Sequence, residues 1–394
     1  MFSVSKLIHR NTLLLIFLGI VLLMGNMNGF ITVVTIWSLL VIILLPIYKY
    51  IDLQGVVLLL FSLLYILFGG INGFVSSFHQ VVLYLIPIVF YLFGSYIYKY
   101  ISSEKTFLGL ICLMLFLYAF EVYITIIGEV ISTGSMVNTS RLFYFHGDQS
   151  RQLTATLVGL NVSVGLVGFP MFIISKKYNL LRWLYLLLGL LSLITTMWLV
   201  NRSGLAILFL SLCAILVYYY KKQRVKLIFL FVVIVTIYSF LISTGIIGSD
   251  IINAYSERNS ADLLTGGDRP RRWVEALHYL FEYPFGWAEN DGKTTYYVHN
   301  MWLDIAKVAG IFPFVALLLA TLISLKQHIK LLKYENSLIV ALFIGMYVCL
   351  FSSCFLEPLY GGPHFYIFVM LWGMSNSYLK INKHEGTIYN RSIS

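Results

Sequence analysis

The stretch TTYYVHNMWLDIAKVAGIFPFVALLL, residues 294–319, passes from a polar beginning to a strongly apolar end. An apolar run of about eighteen or more residues is long enough to cross a bilayer core of about 30 Å. We therefore predict a membrane helix over about 299–324. Its first turns carry the ionisable residues His299, Asp304 and Lys307, which is unusual for a helix that enters lipid.

The rest of the chain shares this apolar character. Of its 394 residues, 59% are hydrophobic and only 11% are charged, and the mean hydropathy is +0.86. Soluble globular domains carry roughly 25% charged residues, because their surface must face water. The composition therefore excludes a soluble protein and predicts a polytopic membrane protein.

Apolar runs long enough to span a membrane recur from end to end, and we predict about twelve of them in one integral membrane domain over 1–394. Backbone polar groups cannot stay unpaired in lipid, and the alternation typical of an outer-membrane barrel is missing. The predicted fold class is therefore all-α. The spans cover roughly 11–25, 29–47, 55–71, 80–98, 106–128, 152–174, 183–200, 203–220, 227–247, 299–324, 337–356 and 365–379.

The distribution of positive charge predicts the orientation. A cytoplasmic N-terminus places most of the 27 Lys and Arg residues on the inner side, as the positive-inside rule expects. Both termini are then cytoplasmic. The net charge of +10 is mostly this inner excess, which favours anionic lipids and requires no nucleic-acid partner.

Two predicted outer loops are longer than the others, at about 129–151 and about 248–298. Long loops on a rigid scaffold are where functional residues concentrate. The longer loop contains GGDRPRRWVEALHYLFEYPFGW at 266–287, in which Asp268 can cap a helix that has Pro270 in its first turn. This loop is therefore the expected catalytic segment.

That predicted loop helix has one apolar face, formed by Trp273, Ala276, Leu277 and Leu280 at helical spacing. We expect it to lie along the outer membrane surface, with its arginines near the lipid headgroups. A helix that merely closes the loop is the alternative.

Arg202 lies between the predicted seventh and eighth spans, at the outer boundary where the charge rule disfavours a cation. An arginine that snorkels to the headgroups would explain it. We favour a binding role, because ionisable groups at membrane depth are functional candidates.

In the opening stretch, Asn300, Asp304, Lys307 and Ile311 recur along one face of the predicted helix. Asp304 and Lys307 can pair, which would make their burial tolerable. His299 would stand at the helix N-terminus, where the positive end of the dipole favours the neutral ring and attracts anions. A neutral histidine can accept a proton.

In order along the chain, NRSGL at 201–205, the 266–287 segment and HNMWLDIAKVAGI at 299–311 resemble the O-antigen ligase/polymerase superfamily. Members of this family are multi-span enzymes that act on polyprenyl-pyrophosphate-linked glycans outside the bacterial cytoplasmic membrane. The resemblance covers about 140–375. SRLFYFHGDQSRQLTATLVGLN at 140–161 resembles the earlier outer segment of the family, but the Asn-Pro-Asn-like turn of that segment is missing.

The resemblance implies glycosyl transfer, in which an acceptor hydroxyl displaces pyrophosphate from an anomeric carbon. Arg202 and Arg272 would stabilise the departing pyrophosphate in place of a metal, and His299 would act as the general base. No Gly-rich phosphate loop, D-x-D or H-E-x-x-H motif is present, so we expect no cofactor. The remaining residues expected to contact substrate are Arg269, Arg271, Arg141, Arg151, Asn300, Trp273 and Glu357.

The expected partners are a lipid-linked donor and acceptor, with a flippase and a chain-length regulator as candidate protein partners. A polymerase moves the growing glycan onto a new lipid-linked repeat unit, and a ligase moves it onto lipid A–core. The residues do not distinguish these two activities, but the HNMWLD and GGDRPRRW contexts look closer to polymerases. A lipid-linked-sugar flippase or another transporter remains the alternative from a different class.

Overall fold

The computed structural model describes residues 30–101, 103–135, 137–138, 142–148, 150–223, 269–288, 298–357 and 360–391. The predicted spans at 11–25 and 227–247 lie outside the described residues. So do Arg141 and most of the predicted 248–298 loop, including Asp268.

The described chain is mostly helical, which confirms the predicted fold class. Within the described residues, eight helical segments are long and apolar enough to cross a membrane, while the total of about twelve spans stays a prediction. The α-helices are α1 (Phe30–Leu44), α2 (Leu53–Ile71), α3 (Phe78–Tyr100), α4 (Glu104–Thr133), α5 (Ala155–Ser163), α6 (Gly168–Ile174), α7 (Asn179–Trp198), α8 (Arg202–Tyr219), α9 (Arg269–Glu282), α10 (Met301–Ala309), α11 (Ile311–Leu331), α12 (Leu338–Leu356) and α13 (Pro363–Arg391).

The span predicted over 299–324 is two helices rather than one, because α10 ends and α11 begins at Gly310. Gly310 has φ +81°, and a Cβ there would lie 2.2 Å from the carbonyl oxygen of Pro284. Ile311 donates its N–H to that same oxygen at 2.9 Å. The chain after α9 thus packs directly into the break, and only glycine allows this approach.

The chain divides into two compact units. The first comprises Met1–Leu110, Arg269–Lys333 and Leu350–Ser394, and the second comprises Ile111–Asp268 and Tyr334–Cys349. We call them unit 1 and unit 2.

In unit 1, α3 and α13 pack at backbone contact. A Cβ on Gly94 would lie 2.2 Å from the carbonyl oxygen of Met370, so only a residue without a side chain fits between the helices. Small residues at such positions let membrane helices approach closely, since dispersion contacts replace the hydrophobic drive available in water. This close pair forms the core of unit 1.

In unit 2, a short antiparallel hairpin precedes α5. Strand β1 (Leu142–Tyr144) pairs with β2 (Gln152–Thr154), and Phe143 lies opposite Leu153. The Phe143 side chain is buried, and the hydroxyl of Thr154 accepts the N–H of Leu157 to cap α5. The hairpin is therefore fixed both by its buried aromatic residue and by the helix that follows it.

Candidate active site

Two side chains of unit 1, those of His299 and Arg269, contact the carboxylate of Glu357. Oε2 of Glu357 lies 3.1 Å from Nδ1 of His299, and Oε1 of Glu357 lies 3.4 Å from Nη2 of Arg269. Glu357 follows α12, Arg269 opens α9, and His299 precedes α10. The Glu357 side chain is only 10% exposed, whereas those of His299 and Arg269 are 29% and 34% exposed. A nearly buried anion thus orients two partly exposed side chains.

The contact with Glu357 determines which nitrogen of the His299 ring carries the hydrogen. An ionised carboxylate only accepts hydrogen bonds, so Nδ1 of His299 carries the hydrogen and donates it to Glu357. In the neutral ring, Nε2 then holds the lone pair. A carboxylate in this position also stabilises the imidazolium that forms when Nε2 takes a proton. The pair therefore has the geometry of a base and the group that orients it.

The backbone around His299 is held in an uncommon conformation. His299 has φ +57°, in the left-handed region, which costs about 1–3 kcal/mol for a residue other than glycine. The carboxylate of Asp304 accepts the N–H groups on either side, from Val298 at 2.9 Å and from Asn300 at 3.1 Å. Asn300 itself caps α10 by accepting the N–H of Leu303 at 3.2 Å. These hydrogen bonds stabilise the strained backbone conformation of His299.

Asp304 has a role that the sequence does not predict: its hydrogen bonds hold the backbone beside His299. Its pairing with Lys307 stays a prediction. Burial raises the pKa of the Asp304 carboxyl, and the two backbone hydrogen bonds and the charges of His299 and Lys307 oppose that rise.

The backbone carbonyl of Lys307 accepts the N–H of Trp287 at 2.9 Å, which joins α10 to the segment after α9.

The loop helix predicted through RRWVEALHYLFEY is present as α9, and its indole supports the site. Nε1 of Trp273 donates to the carbonyl of Val298 at 3.1 Å, one residue before His299. Ala276 and Leu280 are buried on the same face, as predicted, but Leu277 is 45% exposed. Trp273 thus positions the histidine segment, and its contact with substrate stays a prediction.

Each of the other predicted arginines among the described residues has its own surroundings. Arg271 is exposed and pairs with Glu275 one turn along α9, at 2.8 Å. Arg272 is half-buried on α9, and Arg202 is half-buried as the first residue of α8 in unit 2. The catalytic roles of Arg272 and Arg202 stay predictions. Arg151 also belongs to unit 2, where it pairs with Glu121.

Sequence reasoning missed how Asp304 acts and left the role of Glu357 open. The signal for Asp304 was its position four residues after the cap residue Asn300, from which a carboxylate can reach back to the N–H groups of the preceding turn. No comparable signal marks Glu357, because it reaches His299 across 58 residues of chain. Among the described residues, no group of three or more His, Cys, Asp or Glu side chains could hold a metal ion.

Comparison of the chain with protein-family models gives no match. A search of the curated proteins gives no match either.

Proposed function

We propose that this chain is a membrane glycosyltransferase that polymerises polyprenyl-pyrophosphate-linked oligosaccharide repeat units into a surface polysaccharide. It would work at the outer face of the bacterial cytoplasmic membrane, with both termini inside. The observation that carries the proposal is the contact of His299 and Arg269 with the two oxygens of Glu357. Through Glu357, a side chain that can accept a proton lies beside a guanidinium. The described residues also include helices that are long and apolar enough to span a membrane.

In this mechanism His299 is the general base. Its Nε2 takes the proton of the acceptor hydroxyl as the hydroxyl oxygen attacks the anomeric carbon of the donor. The bond between that carbon and the pyrophosphate oxygen breaks, and the polyprenyl pyrophosphate leaves with the electron pair. Glu357 stabilises the imidazolium through Nδ1, and a positioned base of this kind contributes roughly 10²–10⁴-fold in rate.

Arginines would stabilise the negative charge that develops on the leaving pyrophosphate. A guanidinium has five N–H donors, and the hydrogen bond from Arg269 to Glu357 uses one of them, so the same side chain could also bind a phosphate oxygen. Arg272 follows three residues later on α9, on the same side of the helix. Arg202 is the further candidate that the family resemblance indicates.

A polymerase and a ligase share this chemistry and differ only in the acceptor. We favour the polymerase because of the resemblance of the HNMWLD and GGDRPRRW segments. Transporters built from two six-span halves usually join them on the cytoplasmic side, whereas the longest loop predicted here is extracytoplasmic and carries the histidine and arginine residues, so we favour an enzyme.

The test is turnover by purified protein in detergent. The substrate is the polyprenyl-pyrophosphate-linked glycan extracted from a strain that lacks this chain, and the product is longer glycan resolved by gel electrophoresis. We expect His299→Ala to abolish elongation. His278→Ala is the matched control, because His278 is an exposed histidine on α9 that faces Glu282.

Unchanged elongation by His299→Ala would remove that residue as the base. Lipid-linked glycan that crosses proteoliposome membranes without elongation would instead identify a flippase. Elongation that requires lipid A–core as the acceptor would identify a ligase.

A further inference from the structure

One end of unit 1 carries lysine and tyrosine side chains that the proposed mechanism does not use. The chain between α1 and α2 forms one turn of 3₁₀ helix, Ile47–Tyr50, in which Ile47 is buried. Tyr48 and Lys49 in the same turn are exposed. The turn thus places a cation and an aromatic ring at the surface, directly after the apolar run of α1.

The end of α3 meets this turn. Nζ of Lys99 lies 5.6 Å from the centre of the Tyr50 ring, within the range of a cation–π contact. The Tyr50 ring is nearly perpendicular to that of Tyr96, with centroids 5.9 Å apart. Lys99 is exposed. The lysine near the end of α3 and the lysine next to Tyr50 in the chain therefore belong to one surface.

Helix α13 passes the same end of unit 1. The rings of Tyr98 and Tyr378 lie 5.5 Å apart, so the last turn of α3 runs beside this part of α13. Lys380 follows two residues later and is exposed, and its ammonium donates to the carboxylate of Asp52 at 2.6 Å. Asp52 lies two residues after the 3₁₀ turn. Three elements thus contribute to what we call the basic surface, formed by Lys49, Tyr50, Lys99 and Lys380.

The basic surface has an excess of positive charge. Asp52 offsets the charge of Lys380. Glu104 and Lys105 open α4 shortly after α3 ends, and their charges offset each other. The charges of Lys49 and Lys99 remain, so the surface attracts an anion.

The depth of the surface selects the anion. Helices α2 and α3 are long and apolar enough to cross a membrane, and Lys99 is the penultimate residue of α3. Lysine and tyrosine at the end of a span lie at the level of the lipid headgroups, because each has an apolar body and a polar tip. The charge distribution predicts that this side is cytoplasmic, where the lipid surface is negative. The anion expected at this depth is a lipid headgroup.

We propose that Lys49, Lys99 and Tyr50 form a binding site for the headgroup of an anionic phospholipid. The phosphate oxygens would accept hydrogen bonds from the two ammonium groups. The acyl chains would lie along the end of α1, where Ile43 and Leu44 are exposed. The bound lipid would join the 3₁₀ turn to α3 and so stabilise unit 1. This binding does not depend on the glycosyl transfer proposed above.

The experiment measures lipid retention and thermal stability of the full-length protein in a neutral detergent. The probes are phosphatidylglycerol and phosphatidylcholine with the same acyl chains. Native mass spectrometry measures bound lipid, and fluorescence gives the thermal midpoint. We expect only phosphatidylglycerol to be retained and to raise the midpoint. Lys49→Gln combined with Lys99→Gln should weaken its retention by roughly tenfold or more, because two cations beside the headgroup are lost.

Lys176→Gln combined with Lys177→Gln is the matched control. Both lysines are exposed on the same predicted side of the membrane, and Nζ of Lys177 lies 5.0 Å from the centre of the Tyr178 ring. They come from one turn between α6 and α7 rather than from separate elements. The control should retain phosphatidylglycerol as the wild type does. An equal loss in the control would show a diffuse attraction by charge and would overturn the proposal.

Two further measurements complete the test. Lys49→Gln alone changes one exposed side chain and covers the case in which the double variant fails to fold; it should weaken retention by roughly threefold or more. Inorganic phosphate should leave the midpoint of the wild type unchanged. Equal retention of phosphatidylcholine, an equal rise with inorganic phosphate, or wild-type retention by either folded glutamine variant would overturn the proposal.

Discussion

The left-handed backbone conformation of His299 orients its ring. A strained backbone persists only where its surroundings hold it, and here the carboxylate of Asp304 binds the N–H groups of Val298 and Asn300. The ring then meets Glu357 at 3.1 Å. Strain at this position is therefore part of the way the base is oriented.

At the residue scale, Glu357→Gln tests the orienting carboxylate. Glutamine can still accept the hydrogen of Nδ1, but it carries no charge to stabilise the imidazolium. We expect kcat to fall by roughly 10²-fold, with a much smaller change in KM. Elongation kinetics of purified protein measure both constants, and Glu282→Gln on the surface of α9 is the control. An unchanged kcat would reduce Glu357 to a structural contact.

A second prediction at this scale concerns Arg202. If its guanidinium binds the pyrophosphate through two N–H groups, an ammonium cannot replace it, and Arg202→Lys should lose more than about tenfold in turnover. Arg182→Lys, near the start of α7, is the control and should remain active. Near-normal turnover by Arg202→Lys would indicate an arginine that only anchors α8 at the headgroups.

At the scale of elements, α9 has two apolar faces rather than the single face expected from its sequence. Trp273, Ala276 and Leu280 pack toward the histidine segment, while Val274 and Phe281 are 67% and 75% exposed. An exposed apolar stripe on a loop helix is typical of a helix that lies in the membrane interface. Leu277 belongs to the exposed stripe with Val274 and Phe281, and not to the packed face that the sequence predicts for it.

The connection between α9 and α10 yields a prediction about Gly310. Alanine there would place a Cβ 2.2 Å from the carbonyl oxygen of Pro284 and would strain a backbone at φ +81°. We expect Gly310→Ala to lower the thermal midpoint and to reduce turnover, because the break also fixes the start of α11.

The control for Gly310→Ala is Gly109→Ala on α4, where an added Cβ meets no atom within 4 Å. Its thermal midpoint should be unchanged or slightly higher, since alanine favours a helix. Midpoints followed by fluorescence in detergent compare the two variants. Equal midpoints would show that the close packing at Gly310 contributes nothing to stability.

At the scale of the molecule, a partly buried polar cluster around Asp52 joins helices of unit 1. Its carboxylate accepts hydrogen bonds from Lys380 at 2.6 Å, from Tyr91 at 2.8 Å and from the N–H of Gly55 at 3.0 Å. Asn376 donates to it as well. The cluster therefore ties the start of α2 to α3 and α13.

This cluster predicts how stability depends on pH. Burial alone would raise the pKa of Asp52, but the hydrogen bonds from Lys380, Gly55 and Tyr91 and the charge of Lys380 lower it below its ordinary value. A lowered pKa stabilises the fold above the unfolded value of about 3.9, and the stabilisation is lost as the pH falls through the folded value. We expect Asp52→Asn to flatten the decrease of the thermal midpoint in this acidic range.

Thermal midpoints between neutral pH and about pH 3 measure the effect. Lys380→Met, which removes the first partner of Asp52, should flatten the same acidic decrease. An identical pH dependence in wild type and both variants would show that this carboxylate contributes no pH-linked stability.

The sequence by itself determined that this chain contains many apolar helices of membrane-spanning length, because helix formation within an apolar run is a local property. Each apolar run must satisfy its own backbone hydrogen bonds in lipid, and only a helix does so within one segment. The helix over Arg269–Glu282 and the position of His299 just before a helix followed from equally local signals, namely helical spacing of apolar residues and a cap residue.

Only the tertiary structure decided which arginine shares a carboxylate partner with the histidine. The contacts of Glu357 join residues separated by 58 and 88 positions, so no periodicity could identify Glu357 as their common partner or select Arg269 among its neighbours on α9. The break at Gly310 is also a tertiary feature, since it exists because the backbone of Pro284 occupies the space of a side chain. Local physics determines elements, and packing determines which side chains meet.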